Sequence, residues 1–421
     1  MKVLWLCNLP TPDISEKLGA SLSSGGGWIA SLYDIMVSKN DIELFYVFPY
    51  GVDKETKGKT RSEFFGFSIL KGKPTKYNPE LEETFREYLL KINPDIIHIF
   101  GTEFAHQLSM TKAALGAGMQ DRIVVSIQGL ISYIAKHYTQ GLSEKTIRGW
   151  TLRDLLRKDN ILNQQRAFEK RGEFEKQTLS NVNHIIGRTT WDRACTNQIN
   201  ENANYYHIDE TLRSGFYKKN WSFDKCKKHS IFISTADYPV KGAHYIIKAM
   251  PYVLKRFKDA HLYIAGRKFD TPKSIKSRLK LSSYPKHILD LIERLGLSNK
   301  VTFLGPLSEE KMIAQYLKSH VFVSPSVIEN SPNSVCEAML LGVPVVASSV
   351  GGVTDLLEHK KEGFIYQSTA EYMLSHYICE IFSSKATAEL FSKNAKARAK
   401  KTHDIQKNAD DVLKLYNDIA K

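Results

Sequence analysis

Short apolar runs alternate with longer amphipathic stretches along most of the chain. "KVLWLC" is continuous and apolar and is stopped by "NLPTP", which predicts a buried strand. "WIASLYDIMVS" has helical spacing, and "IELFYVFPY" reads as a second strand. "ELEETFREYLLKI" is an amphipathic helix ended by "NPD", and "DIIHIF" and "RIVVSIQG" are two further buried strands. Strands without polar alternation, separated by helices, predict a parallel sheet covered on both faces.

The pattern breaks between Ile131 and Thr178, where the chain is polar, Arg/Lys-rich and helical. It returns with "NHIIGRTTWDRA", and "ETLRSGFYKKNWSFDKCKKHS" reads as a connector. Beyond it the strand–helix alternation restarts with "SIFIST", "GAHYIIKAMPYVLKRF", "AHLYIAG" and "KVTFLG". "SEEKMIAQYLKS", "HVFVSPS", "NSVCEAMLLG" and "VPVVASSVGG" continue it. The expectation is α/β: two doubly wound Rossmann-like domains facing a cleft, where open parallel sheets bind ligands at strand C-terminal ends. The boundaries expected are 1–215 and 216–399, with a C-terminal helix at 400–421 packing back on the first domain.

Composition changes this picture in two ways. The 421 residues suit two domains, and 42% apolar with 25% charged content is ordinary globular usage. The net charge is +14, and it is lopsided: residues 1–215 hold 27 basic and 25 acidic side chains, the remainder 32 and 20. The second half is thus the candidate for an anionic ligand or surface. The five cysteines are scattered without a C-x-x-C spacing, so neither a zinc site nor a disulfide framework is indicated. The N-terminal apolar run is too short for a signal peptide core, and no stretch approaches ~20 apolar residues. A cytoplasmic protein, able to work at the inner face of the plasma membrane, is expected.

The most informative segment is "SVIENSPNSVCEAMLLGVPVVASSVGGVTDLLEHKKEGFIY". Glu329 and Glu337 stand eight apart, and Ser331, Pro332, Asn333 and Ser334 lie where a loop enters a helix. A helix N-terminus presents unpaired N–H groups and a positive dipole end, which suit a phosphate. Glu337 in the first turns can accept bonds from a ribose, and Glu329 from a sugar beside the phosphate. The blander alternative is two surface carboxylates and a helix cap.

This segment resembles the nucleotide-sugar signature of retaining GT-B glycosyltransferases of the family 4 type (glycosyl transferases group 1). The match is a Glu-x7-Glu motif followed by "EAM-x-x-G-x-PVVAS-x-x-GG-x-x-D", from Glu329 to Asp355. The resemblance implies that Glu329 contacts the transferred sugar, the backbone after it holds the diphosphate, and Glu337 binds the ribose. "PVKGAHYIIKAM" resembles the family's Lys-Gly segment, which assigns Lys241 to the donor diphosphate and Gly242 to close backbone approach. "SSGGGW" resembles the N-terminal glycine loop, giving Gly26 and Gly27. "YIAGRKF" occupies the place of a strand followed by a glycine turn, with Arg267 after Gly266.

Two departures stand out. The family's Arg five residues before the Lys is Ala236 here, so that either another cation, Arg267 or Arg188, substitutes or the diphosphate is held less tightly. Where the strand "RIVVSIQG" often ends in a His, this chain has Gln128, which hydrogen-bonds but carries no proton at neutral pH. His98, His106 and, in first place, His137 are substitutes. No Asp-x-Asp pair occurs, which suits metal-independent chemistry with cations and a helix terminus in the metal's electrostatic role. The expected activity is transfer of a hexosyl or N-acetylhexosaminyl group with retention. The donor is UDP-sugar or another nucleoside diphosphate sugar, the acceptor a glycan or lipid-linked chain in surface polysaccharide or glycoconjugate synthesis. No cofactor and no metal are expected.

Two basic stretches, "GRKFDTPKSIKSRLKLSSYPKH" and "TIRGWTLRDLLRK", suit peripheral contact with anionic lipid or merely a solvated face. No nucleic-acid recognition motif accompanies the charge. Rival readings are a nucleotide-sugar epimerase, which needs acid–base pairs not found here, and a non-catalytic nucleotide-sugar-binding subunit, favoured by Ala236 and Gln128.

Overall fold

The computed structural model describes residues 1–19, 27–52, 54–69, 76–266 and 279–421. Gly26 and Arg267, both assigned from the sequence, lie outside the described residues. The chain divides into two compact units.

The first unit comprises Met1–Tyr133, Ala167–Arg213 and Thr402–Lys421. Its sheet has eight strands: β1 (Lys2–Leu6), β2 (Glu43–Val52), β3 (Thr56–Lys59), β4 (Glu63–Ile69), β5 (Ile96–Phe100), β6 (Ile123–Ser126), β7 (His184–Gly187) and β8 (Asn204–His207). The order is β3-β4-β2-β1-β5-β6-β7-β8, parallel throughout except for β3 at the edge. Val3, Leu4, Trp5 and Leu6 in β1 and all of β5 are buried, as continuous apolar runs require when both faces are covered. The C-terminal helix Ile405–Ile419 presents Ala409, Val412, Leu415 and Tyr416 to the cluster that holds Trp5 and Met36. The Trp5 indole donates to the Tyr416 hydroxyl at 3.0 Å, so the chain's last helix closes on its first strand.

The second unit comprises Ile134–Arg166 and Ser214–Lys401. Its strands are β9 (Lys227–Ile233), β10 (His261–Ala265), β11 (Val301–Gly305), β12 (Ser319–Ser324), β13 (Val345–Ser348) and β14 (Gly363–Tyr366). They pair in the order β11-β10-β9-β12-β13-β14, all parallel, so every crossover is a helix or loop that returns over a face. β12 is buried along its whole length, which places the loop after it at the end of the central strands.

The division falls within two residues of the sequence boundaries at 215 and 399 and departs from them at one inserted segment. Residues 134–166 belong to the second unit although they precede residue 215. The physical reason is a buried carboxylate: Asp154 accepts from the Ser283 amide at 2.9 Å and from the Ser283 hydroxyl. All five cysteines are free and buried. Among the described residues no helix is long and apolar enough to cross a membrane.

Candidate functional site

In the second unit, two loops meet beyond the ends of β9 and β12. The loop after β9 turns at Pro239–Lys241, and Gly242 follows with φ +66 before the helix Ala243–Arg256. A Cβ at Gly242 would sit 1.8 Å from the Pro325 carbonyl oxygen. Only glycine lets this corner close on the β12 loop, where the Val327 amide donates to the Val240 carbonyl at 2.9 Å.

That contact delivers Lys241 to Glu329. The Lys241 ammonium donates to Glu329 Oε1 at 2.7 Å, and the Ser326 hydroxyl donates to the same oxygen at 2.7 Å. Ser326 is fixed in turn by the Ser348 hydroxyl, which donates to its carbonyl at 2.6 Å. The backbone of Glu329 is held by the double glycine of "SSVGG". The Gly352 amide donates to the Glu329 carbonyl at 3.1 Å, and a Cβ at Gly351 would lie 1.8 Å from that oxygen.

Burial by itself would lower the Lys241 pKa; the Glu329 carboxylate and the Tyr238 hydroxyl together outweigh it and hold the ammonium above its ordinary range. The side chains keep 23% and 13% of their surface exposed, so the pair is reachable from solvent.

Next along the loop, the helix Asn333–Leu341 starts without a side-chain cap at Pro332. Its third and fourth amides, Val335 and Cys336, bond back to the Pro332 carbonyl. The amides of Asn333 and Ser334 donate to no described group, so two N–H donors stand at the positive end of a nine-residue helix. Glu337, one turn in, is buried at 5% exposure, an expensive place for a carboxylate that only solvated a helix face. Lys241, Gly242, Glu329, Ser331, Pro332, Asn333, Ser334 and Glu337 thus share one unit and one end of its sheet. Among the described residues Lys241 is the one cation paired with Glu329. Ala236 is buried at 1% exposure.

The residues assigned to the first half are placed differently. Gly27 begins the helix Gly27–Ser38 in the first unit, and a Cβ there would meet Arg213 at 2.7 Å. Gln128, just beyond β6, donates from its amide nitrogen to Glu210. Arg188 also pairs with Glu210 and donates to the Ile127 carbonyl at 2.5 Å. Arg188 is thus held within the first unit by Glu210 and the end of β6.

The histidines also divide. His98 is fully buried between the Tyr416 hydroxyl at 2.5 Å and the Ser126 hydroxyl at 2.7 Å. Burial lowers its pKa to about 3, and likewise that of His106, which bonds to Asn8 at 2.9 Å. Both are neutral structural residues. His137 lies in the second unit, with Nδ1 3.2 Å from Gln140 Oε1.

The sequence reading missed two carboxyls, Glu103 just beyond β5 and Glu175 in the helix Ile161–Leu179. Glu175 is fully buried and accepts from the Thr102 hydroxyl, the Ile131 and Ser132 amides and the Ser132 hydroxyl, at 2.5–2.9 Å. Glu103 is half-buried beside it. Burial, reinforced by the Glu175 charge, pushes its pKa up to about 7. The available signal was "GTEF" directly after a buried parallel strand, where α/β sheets carry their chemistry.

Comparison with known proteins agrees with this geometry. Residues 216–398 match the family model described as Glycosyl transferases group 1. An uncharacterized glycosyltransferase of Methanocaldococcus jannaschii is 29% identical over 191 residues, 45% of each chain. The chain therefore matches about half the length of such curated relatives. Sucrose-phosphate synthase from Thermosynechococcus elongatus superposes with a TM-score of 0.71 at 16% identity, covering 99% of this chain and 98% of that one. Anabaena HepE, solved in complex with UDP-glucose, gives 0.69 at 16% identity, covering 99% and 100%. The chain has the GT-B fold of these neighbours, and its residues 216–398 match the glycosyl transferases group 1 family.

Proposed function

We propose that the chain is a retaining, metal-independent glycosyltransferase. It takes a sugar from a nucleoside diphosphate donor, UDP-linked or otherwise, to a glycan or lipid-linked acceptor. The observation that carries this reading is the cluster in the second unit: an ammonium, a carboxylate and two unpaired helix amides within one loop system. The UDP-glucose bound by Anabaena HepE, a protein of the same fold, supports a donor of this class.

In this reading the diphosphate lies on the Asn333 and Ser334 amides, and the ribose hydroxyls bond to Glu337. Lys241 swings from Glu329 to the leaving phosphate, where it stabilises the charge that develops as the bond from C1 to the phosphate oxygen breaks. Glu329, relieved of Lys241, accepts from a hydroxyl of the transferred sugar. The acceptor oxygen bonds to C1 on the face that the diphosphate leaves, and its proton passes to the departing phosphate oxygen. With Ala236 in place of an Arg, Lys241 is the principal side-chain cation on that phosphate. Gln128 acts through Glu210, as a positioning residue at the end of β6. Gly26, Gly27, Arg267 and His137 remain in the reading as donor- or acceptor-side contacts inferred from the resemblance. The lack of an Asp-x-Asp pair supports the metal-independent form.

Proton NMR of the product formed from an α-linked donor in excess EDTA tests this. An α-linked product at an undiminished rate is expected. An inverted product, or activity that returns only with magnesium or manganese, would refute the mechanism.

A further inference from the structure

One helix of the second unit is built inside out. Of Leu152–Arg157, only Asp154 is buried. Its carboxylate is locked to Thr151, Ser283 and Arg153, so the polar side of the helix faces the protein. Leu152, Leu155 and Leu156 are 48%, 56% and 79% exposed, and Trp150 just before them is 47% exposed. Positions i, i+3 and i+4 fall on one helix face, so the leucines form a stripe pointing to solvent. Scattered exposed leucines are ordinary; an apolar stripe opposite a buried, fully bonded aspartate is a surface made for a partner.

The charge beside the stripe says which partner. Trp150 also lines a cavity of about 600 Å³ within the same unit, together with Lys145, Lys248, Lys286, His287 and Arg294. Four cations there face one carboxylate, Asp290, which is already paired with Lys286 at 2.5 Å. Lys145 and Arg294 have no ion-pair partner among the described residues. His287 Nε2 is buried without a hydrogen-bond partner. Arg157 and Lys158 are exposed at the helix end, where long stems can lie along an interface with their charges at the headgroups.

We propose that this face docks on a bilayer containing anionic phospholipid. The leucine stripe and Trp150 enter the boundary between headgroups and acyl chains, and a lipid phosphate occupies the cationic cavity. A soluble phosphate ligand would explain the cavity but leave the leucines unexplained; a protein partner would explain the leucines but not the unpaired cations next to them. The proposal deepens the lipid-linked acceptor reading, yet its test needs no sugar transfer.

The full-length chain is sedimented with vesicles of phosphatidylcholine alone and of phosphatidylcholine with phosphatidylglycerol. Binding to the anionic vesicles, weakened by salt, is expected. Leu155→Gln with Leu156→Gln should lower it about tenfold or more, and so should Lys145→Glu with Arg294→Glu. These positions are exposed, and both double variants should keep the wild-type melting temperature and affinity for UDP, GDP or ADP. Wild type that ignores anionic vesicles, leucine variants that bind them as well as wild type, or inorganic phosphate bound without vesicle association would each overturn the proposal. Vesicle binding by a chain that takes no nucleoside diphosphate would leave the docking face standing and refute the donor site instead.

Discussion

Both units place a carboxylate against a cation just beyond their parallel strands, and the two pairs are opposites in use. In the first unit, Glu210 takes Arg188 and Gln128 on its side chain, while its carbonyl accepts from His403 at 2.7 Å and Asn408 at 3.3 Å. Burial raises the Glu210 pKa against the opposing pull of Arg188. Every partner is protein, and the Arg188 side chain is 4% exposed. In the second unit, the Lys241–Glu329 pair keeps solvent contact and stands beside two unpaired amides. The first pair braces the return of residues 402–421 onto the strand ends. The second is arranged to exchange its partner for an anion.

The comparison breaks most visibly through stability. Arg188→Ala leaves Glu210 buried without its cation and should cost about 3–5 kcal/mol in urea unfolding. Lys241→Ala, by contrast, should cost less, because Glu329 keeps solvent contact and still accepts from the Ser326 hydroxyl. A large stability loss at Lys241 and none at Arg188 would reverse the assignment of brace and site.

Activity should show the converse. Lys241→Ala should lower kcat/KM by about a hundredfold or more, the range for one preorganised electrostatic contact, because Ala236 offers no second cation. Steady-state kinetics with a nucleoside diphosphate sugar and a pool of lipid-linked acceptors would reveal it. Unaffected turnover would place the leaving group elsewhere. Smaller in effect, Glu337→Ala should weaken nucleotide binding by about 1–3 kcal/mol by calorimetry, the scale of unpairing buried hydrogen bonds. Unchanged affinity for the nucleotide alone would remove the ribose from Glu337.

The subtlest effect concerns Glu103. Its folded pKa, about 7, lies above the ordinary carboxyl value, so the folded state holds the proton longer than the unfolded one. Its contribution is full below about pH 4.3 and is lost as pH rises through about 7. Glu103→Gln should flatten the stability profile across that window. A profile of unchanged slope would show that Glu103 is ionised there in the folded chain.

How much of this was legible in the sequence follows from distance along the chain. Glu329 to Glu337, the double glycine and the helix start lie within one segment, so their spacing carries the site. Lys241 is 88 residues from Glu329 and was reached only through the resemblance of its Lys-Gly corner. The bonds of Asp154 to Ser283 and of His403 to Glu210 span 129 and 193 residues, and no local pattern announces them. The first holds residues 134–166 to the second unit, and the second ties the C-terminal segment to Glu210. β3 and β4 escaped notice because "TKGK" is polar and "EFFGFSI" has a glycine at its centre. That glycine sits where a Cβ would meet Thr56 at 2.5 Å, a close strand approach.

The central claim is that Glu329 serves the sugar and only parks Lys241. It is tested most directly by titrating a nucleoside diphosphate into Glu329→Gln while following turnover of the corresponding donor. Released from its carboxylate, Lys241 should hold the diphosphate at least as tightly as in the wild type, while sugar transfer falls by about a hundredfold or more. Nucleotide affinity that drops in step with transfer would put Glu329 on the nucleotide and contradict the account.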